Sequence, residues 1–252
     1  MTYNIRYGNE TDGENAWSKR KEALVDLINY YHPEVFGTQE GLQYQLDYIA
    51  QHSTYKYIGV GRDDGKIGGE YAAIFYDTTK VEVLKSNTFW LSPTPEKPSK
   101  GWDAALNRIC TYGLFKNKKT NKQFYVFNAH FDHVGVQARA EAAKLMLKKL
   151  KEFNKNNVPA FVTGDFNLTP ETMPIQIFSK ELHDSYTHCT TKPYGPVGTW
   201  NGYNFMKQPV NRIDYVFTTS NMKVINYRVI ADFYNFKYPS DHLPVLITAL
   251  QE

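Results

Sequence analysis

The sequence predicts a mixed α/β (α+β) protein in which β-sheets pack face to face and helices cover their outer faces. Some strands follow one another as hairpins and others alternate with helices, a combination typical of such layered folds. No repeat, low-complexity run or linker interrupts the 252 residues. We therefore expect one domain spanning residues 1–252.

The N-terminal part of the chain alternates strands with helices. Residues 1–7 (MTYNIRY) have the pattern of a strand already under way, so a leader before them stays open. Apolar positions at 3.6-residue spacing predict a helix from an N-cap at Ser18 to about Tyr31, before Pro33. The next predicted elements are a strand at 35–39 and a helix at about 42–52.

The middle of the chain is rich in strands. Alternating apolar residues predict strands at 71–76, 81–91, 109–115 and 124–131. The connection at 116–122 carries four lysines; a nucleic-acid patch is the alternative, but we interpret it as a solvated hairpin tip. The remaining elements are a helix at 137–156, a buried strand at 158–162, and strands at 214–218, 224–230 and 243–249.

Composition narrows the class of protein only modestly. The net charge of +3 and pI near 8.6 are too mild to indicate a dedicated nucleic-acid-binding module. Cys110 and Cys189 lack zinc or redox spacing, which leaves a single disulfide open. No apolar stretch reaches the length of a membrane span and no signal peptide is visible. We expect a soluble monomer whose compartment stays open, export included if a leader was removed.

Polar side chains stand where hydrophobic strands end, and they form the candidate site. Singly, such residues usually cap turns, whereas a set of acceptors with two histidines indicates an active site at a sheet edge. Carboxylates and amides without cysteine suit Mg²⁺, with Mn²⁺ as a second option, and the histidines favour hydrolysis. The set is Asn4, Glu40, His130, Asp132, Asp165, Asn167, Asp214, Asp241 and His242.

The order of these blocks resembles the motif series of the endonuclease/exonuclease/phosphatase superfamily, the fold of DNase I. The blocks run from residue 2 to 244 and so cover nearly the whole chain. The resemblance implies a four-layered sandwich, two mixed β-sheets between helices, in which water attacks a phosphoric ester in line. The matching blocks are TYN4, QE40, NAHFD132, GDFN167, RIDY215 and SDH242.

The resemblance also implies a role for each motif residue. Glu40 would be the principal metal ligand, with Asn4 and Asp241 completing or supporting the site. Asp165 and Asn167 would position water and phosphate, and Asp165 would also serve a second ion. His242 and Asp214 would form a His–carboxylate pair. His130 would contact the phosphate or the leaving oxygen, and Glu70 would be the carboxylate beside His130. For Glu70 a plain hairpin salt bridge is the open alternative.

Sequence differences between branches of the superfamily indicate which branches this chain resembles less. His130 replaces the Tyr of the abasic-site endonucleases, and Asn-Arg-Ile-Asp214 departs from the Trp-Cys-Asp-Arg signature of the inositol-polyphosphate 5-phosphatases. The stretch YPSDH242 is similar to the closing motif of the deadenylase group. Overall the chain is most similar to bacterial members whose substrates are not assigned.

Candidate substrate contacts surround this set. Arg6, Arg62 and Arg108 suit bidentate phosphate binding, although the loop of Arg62 also reads as a flexible hairpin without P-loop spacing. Trp102 and Trp200 offer walls or stacking faces, with an anchored surface loop as the alternative for Trp102.

The substrate class stays open at this stage. Nucleic acid, nucleotide, phospholipid headgroup and sugar phosphate all suit the resemblance. A catalytically inactive scaffold of the same fold is the alternative function. The intact Glu40, Asp165 and His242 favour an Mg²⁺- or Mn²⁺-dependent hydrolase.

Overall fold

A computed structural model, which describes residues 1–251, shows two six-stranded sheets with helices. The predicted fold class is confirmed. In chain order the strands and helices are β1 (Thr2–Asn4), α1 (Trp17–Tyr31), β2 (Val35–Gln39), α2 (Gln43–Gln51), β3 (Tyr55–Ile58), β4 (Ile74–Asp77), β5 (Val81–Trp90), β6 (Ile109–Asn117), β7 (Gln123–His130), α3 (Val136–Phe153), β8 (Ala160–Asp165), α4 (Met173–Ser179), β9 (His183–Asp184), α5 (Ser185–His188), β10 (Asp214–Thr218), β11 (Met222–Val229) and β12 (Val245–Gln251).

Both sheets are mixed, and each has one parallel pair near its centre. The first sheet has the order β11-β12-β1-β2-β4-β3 and the second β5-β6-β7-β8-β10-β9. Strands β1 and β2 run parallel in the first sheet, as β7 and β8 do in the second, and the other pairs are antiparallel. The parallel pairs bring the carboxyl ends of neighbouring strands to one edge, where polar side chains can meet.

Apolar packing holds the layers together. In α3, Ala143, Met146 and Leu147 lie on one face and join the aromatic core of the second sheet. On the other side, Leu24 and Ile28 of α1 belong to the core of the first sheet. Between the sheets lie Ile74, Val81, Phe115 and Val126. Removing this apolar area from water supplies the main driving force for the sandwich.

A buried amide crosses from one sheet to the other. Asn128 of β7 donates through Nδ2 to the carbonyl oxygens of Thr38 and Ala73, at 2.8 and 2.9 Å. Its Oδ1 accepts from Gln39 Nε2 at 2.7 Å and from Thr163 Oγ1 at 3.1 Å. Because a buried polar group is costly unless it is bonded, this network fixes how the two sheets register just below the site edge.

The structure corrects several predicted elements. Helix α1 begins at Trp17 after Ala16, and Ser18 is not its N-cap because its hydroxyl donates to Glu10 instead. Strand β4 occupies 74–77 rather than 71–76, and β8 occupies 160–165 rather than 158–162. Asp165 therefore lies within its strand. The elements that were not predicted are the 3-10 helix Glu10–Asn15, β3, α4, β9 and α5.

Three further expectations can be checked in the described residues. Cys110 and Cys189 are both free, which settles the open disulfide against pairing. Among residues 1–251, no helix combines the length and the apolar character that crossing a bilayer requires. The segment 116–122 does connect β6 to β7 as a hairpin, as predicted.

Candidate active site

The strand ends of both sheets converge on one cleft. Within residues 1–251, two overlapping groups of three side chains bring their ligand-type atoms within 4.8 Å of one another. The shared member is Asp165, at the end of β8. The groups are Glu40, His130 and Asp165, and Asp165, Asp214 and His242.

His242 forms a tight pair with a buried carboxylate. Its Nδ1 lies 2.8 Å from Asp214 Oδ2, and both residues are nearly inaccessible to solvent. Burial by itself lowers the pKa of His242, but Asp214 and Asp165 together raise it well above the ordinary value. Both carboxylates thus favour the charged form of the ring, whose Nε2 lies 3.7 Å from Asp165 Oδ2.

Asp165 lies at the centre of the cleft. Its Oδ2 accepts from Asn4 Nδ2 at 2.9 Å, and its Oδ1 accepts from the backbone N–H of Asn167 at 2.9 Å. Burial and then the nearby Asp214 raise the pKa of Asp165 to about 7. A carboxylate so placed gains stability from any cation that enters the cleft.

Asn4 presents its amide nitrogen, not its oxygen, to the carboxylates. Nδ2 donates to Glu40 Oε1 and to Asp165 Oδ2, both at 2.9 Å, while Oδ1 accepts from the backbone N–H of Arg6 at 3.0 Å. In this arrangement Asn4 orients the two carboxylates. Its Oδ1 is bonded to the backbone of Arg6, and a role of Asn4 at the metal stays a prediction.

Glu40 is held in a defined orientation by two donors. Besides Asn4 at Oε1, the backbone N–H of Tyr7 donates to Oε2 at 3.1 Å. Arg6 Nη1 lies 4.0 Å from Oε2 and is itself paired with Asp12. Glu40, Arg6 and Asn167 all have left-handed backbone angles, with φ of 64°, 54° and 52°. Strain of this kind concentrates at functional sites, where the surroundings hold it in place.

His130 has the opposite electrostatic surroundings to His242. Burial, followed by the guanidinium groups of Arg108 and Arg62, lowers the pKa of His130 well below the ordinary value. Asn167 Nδ2 donates to His130 Nε2 at 3.2 Å, so the neutral ring carries its proton on Nδ1. That Nδ1 faces Glu70 Oε2 at 3.7 Å.

Glu70 lies between an arginine and the histidine, so both of its predicted partners are present. Arg62 Nη1 donates to Glu70 Oε2 at 2.7 Å. Burial raises the pKa of Glu70 to about 7, against the lowering effect of Arg62. A small cavity of about 10 Å³ beside His130 is lined by Arg62, Glu70, Arg108 and the ring itself. Buried polar atoms without a partner border it, namely Arg62 Nε, Arg108 Nη1 and His130 Nδ1.

The structure places the other predicted residues around the cleft. Asp132 accepts from the N–H groups of Val134 and Gly135 and pairs with Arg108 at 3.4 Å, so it organises the loop before α3. Trp200 is 47% exposed and pairs with His242 through the backbone. Trp102 is half-buried in the loop after β5 and belongs to neither ligand group.

Asp241 stands slightly apart from the clustered carboxylates. It belongs to neither ligand group, although burial and the charge of Glu40 raise its pKa. Its Oδ1 accepts from Ser240 Oγ at 3.3 Å, and its carbonyl accepts from Asn201 and Gly202 N–H. The residue therefore links the cleft to the loop that contains Trp200.

Sequence reasoning missed the residues that position this set. Arg20 is fully buried in α1 and donates to the carbonyl oxygens of Ile5, Arg6 and Pro239, so it ties β1 to the segment before His242. Ser240 Oγ donates to the Asn4 carbonyl at 2.7 Å. Thr199 Oγ1 accepts from the N–H groups of residues 213 and 214. An Arg on the apolar face of a predicted helix is the signal that could have found Arg20.

The donor set fits a hard divalent cation. Glu40 and Asp165 supply carboxylate oxygens that are already fixed by N–H donors, and no cysteine lies in either ligand group. Oxygen ligands of this kind are preferred by Mg²⁺ and Mn²⁺. The two histidines add nitrogen atoms that can bind or release protons at the cleft.

Three known proteins are similar to this chain in sequence, in fold or in both. A mannosyl-6-phosphatase of Bacteroides thetaiotaomicron is 40% identical, with a TM-score of 0.96 over 99% of this chain and 98% of its own. The Ccr4 3'-5'-exoribonuclease subunit of Mycosarcoma maydis is 24% identical over 95% of this chain, which spans only 47% of that protein. The human Nocturnin catalytic domain shares the fold, at 19% identity and a TM-score of 0.75 over 98% of this chain and 90% of its own.

The sequence profile of one family extends over almost the whole chain. It matches residues 1–242, which include every motif block from Asn4 to His242. The predicted resemblance is thereby confirmed. The chain belongs to the Endonuclease/Exonuclease/phosphatase family, which includes phosphatases and nucleases.

Proposed function

We propose that this protein is a divalent-metal-dependent phosphomonoesterase that acts on a sugar phosphate. The observation that carries the proposal is the convergence of a charged His242–Asp214 pair, a neutral His130 and the carboxylates of Glu40 and Asp165 on one cleft. Such a cleft combines metal ligands with two histidines in opposite protonation states.

Glu40 and Asp165 would hold the cation, with Asn4 orienting both carboxylates and Asp241 supporting from the side. When bound, a divalent cation supplies charge stabilisation for the phosphoryl oxygens. The charged His242 binds a phosphate oxygen through Nε2–H, because its Nδ1–H is engaged by Asp214. This interaction grows stronger as negative charge develops on the phosphoryl group.

The neutral His130 acts on the other side of the phosphate. Its Nδ1–H is directed towards Glu70, which leaves Nε2 and the amide of Asn167 facing the cleft. Asn167 can donate to a phosphoryl oxygen, and Asp165 can orient the attacking water by accepting its proton in a hydrogen bond. The unprotonated Nε2 of His130 can then accept a proton from the attacking water, and the departing sugar oxygen takes its proton from solvent.

The charges around the cleft favour a monoester. A phosphate monoester is a dianion near neutral pH, and three guanidinium groups lie at the site. Each is paired with a carboxylate, Arg6 with Asp12, Arg62 with Glu70 and Arg108 with Asp132, so a dianion would bind by exchange with these partners. The 40% identity to a mannosyl-6-phosphatase directs the choice of leaving group to a sugar. The complete motif set argues against the inactive-scaffold alternative.

The test is hydrolysis of mannose 6-phosphate beside bis(p-nitrophenyl) phosphate, with Mg²⁺, Mn²⁺ or EDTA. We expect phosphate release from mannose 6-phosphate that requires metal and is absent in His242→Ala. Glu40→Gln should weaken metal binding by calorimetry by more than about tenfold. Preference for the diester would instead indicate nuclease-like chemistry, and metal-independent turnover would refute the proposal.

A further inference from the structure

An exposed aromatic cluster is carried by the two segments that lead to Asp241 and His242 in the chain or by hydrogen bonds, residues 201–205 and 233–240. Phe205 packs edge-to-face against Phe233 and Phe236, at ring-centroid distances of 4.7 and 5.7 Å, and also contacts Tyr238 at 5.4 Å. Phe233 and Phe236 are 54% and 75% exposed. We refer to Phe205, Phe233 and Phe236 as the aromatic platform.

The two-residue turn that carries Phe236 has an unusual residue at a left-handed backbone position. Asn235 and Phe236 both have left-handed angles, with φ of 45° and 58°, between Tyr234 and Lys237, which exchange two backbone hydrogen bonds. A two-residue turn of this type favours glycine at its second position. Here a phenylalanine takes that position and leaves most of its ring in solvent. A strained backbone position combined with an exposed ring makes Phe236 a candidate recognition residue.

The platform is continuous with the candidate active site. Its chain continues through Tyr238 directly into Ser240 and His242. The neighbouring loop, which contributes Phe205, donates the N–H groups of Asn201 and Gly202 to the carbonyl of Asp241 at 2.8 and 3.0 Å. A molecule whose phosphate lies at His242 can therefore extend over these rings.

The chemistry of the platform favours carbohydrate. Mutual ring contacts fix the phenylalanine side chains, so they offer a preformed apolar face rather than side chains free to insert into lipid. The apolar C–H face of a sugar packs on such a face while its hydroxyl groups stay in water. Lys237, at the edge of the turn, is already paired with Glu14 at 2.8 Å and leaves little charge for a polyanionic backbone.

We propose that the aromatic platform binds the sugar residues next to the phosphorylated one, so that the substrate is a phosphorylated oligosaccharide. This inference rests on the proposed phosphatase function and extends it. The phosphorylated sugar occupies the cleft, and the adjoining residue lies on Phe236 and Phe233. A monosaccharide phosphate occupies only the cleft.

The test compares kcat/KM for mannose 6-phosphate with that for a mannotriose phosphorylated at O6 of its terminal residue. In Phe236→Gly we expect the ratio of trisaccharide to monosaccharide kcat/KM to fall about five- to tenfold. The melting temperature should hold or rise, because glycine accepts the left-handed angle without strain. The control is Tyr30→Ala, which removes an equally exposed ring on α1 and should leave the ratio unchanged.

Other outcomes would overturn the inference. An unchanged ratio in Phe236→Gly would do so, as would a selective loss on adenosine monophosphate, which would indicate base stacking. If Phe236→Gly no longer co-sedimented with phosphatidylcholine–phosphatidylglycerol vesicles while its kcat/KM ratio stayed unchanged, the platform would bind a membrane surface instead. Saturation-transfer NMR with unphosphorylated mannotriose measures sugar binding to the platform without turnover. It therefore tests the platform even if the wild type hydrolyses neither ester and the proposed phosphatase function fails.

Discussion

His242 and His130 line the same cleft, yet their surroundings shift their pKa values in opposite directions. His242 bonds to Asp214 at 2.8 Å, whereas His130 lies 3.7 Å from Glu70, which is itself bonded to Arg62. The surroundings of His242 favour its charged form and those of His130 its neutral form. Two equal side chains thus acquire different tasks. Asp214 and Asp165 outweigh burial and raise the pKa of His242, whereas burial and then Arg108 and Arg62 lower the pKa of His130.

The largest expected effect separates the two histidines by activity. His242→Ala removes a charged donor to the phosphate and should lower kcat by about 10³- to 10⁴-fold, whereas His130→Ala should cost about 10²-fold. Both are measured with saturating Mg²⁺ on the ester that the wild type hydrolyses. His52→Ala, an exposed histidine stacked on Tyr48, is the matched control. Equal losses for the two cleft variants would remove the functional difference inferred from their charges.

A second, smaller effect concerns stability. In Asp214→Asn the pKa of His242 should fall towards its ordinary value, which an NMR titration in EDTA can follow. The wild type should exceed the variant in free energy of unfolding by about 1.5–3 kcal/mol below pH 6.5. A raised pKa in the folded state means that this advantage is lost as pH rises through the folded pKa of His242. An advantage that grows with pH would contradict the assigned charge.

The smallest effect sharpens the comparison on the His130 side. Arg62→Gln removes the cation that holds down the pKa of Glu70, so this pKa should rise further above about 7. We expect kcat/KM to fall about tenfold near pH 7 and to recover partly at higher pH as Glu70 ionises. Arg228→Gln, on a surface pair with Asp232, is the control. A loss that does not depend on pH would show that Arg62 acts only on the substrate.

Sequence patterns predicted most of this fold where periodicity was strong. The apolar face of α3 and the alternation through β6 and β7 led directly to the observed elements. Strand β3 was missed because it is a short edge strand in which Lys56 is exposed and Tyr57 and Ile58 are only partly buried. The 3-10 helix and α5 are short segments fixed by local capping, by Asn9 and Asp184, rather than by a periodic face.

The candidate site was predictable in membership but not in arrangement. Polar residues at strand ends identify Glu40, Asp165 and His242, because the ends of central strands meet at one edge. The orientation of the Asn4 amide follows from a hydrogen bond to the backbone of Arg6, which no spacing in the sequence encodes. The sharing of Glu70 between Arg62 and His130 likewise depends on a loop conformation.

The pairing of β1 with β12 places the first strand of the chain beside the last one. The side chain of Asn4 therefore reaches Asp165 only when the two sheets have docked, and its carbonyl accepts from Ser240 Oγ near the other end of the described residues. A chain in which residues 240–245 have not docked against β1 therefore has no complete cleft. The same long-range closure predicts slow folding and makes activity an all-or-none reporter of the native state.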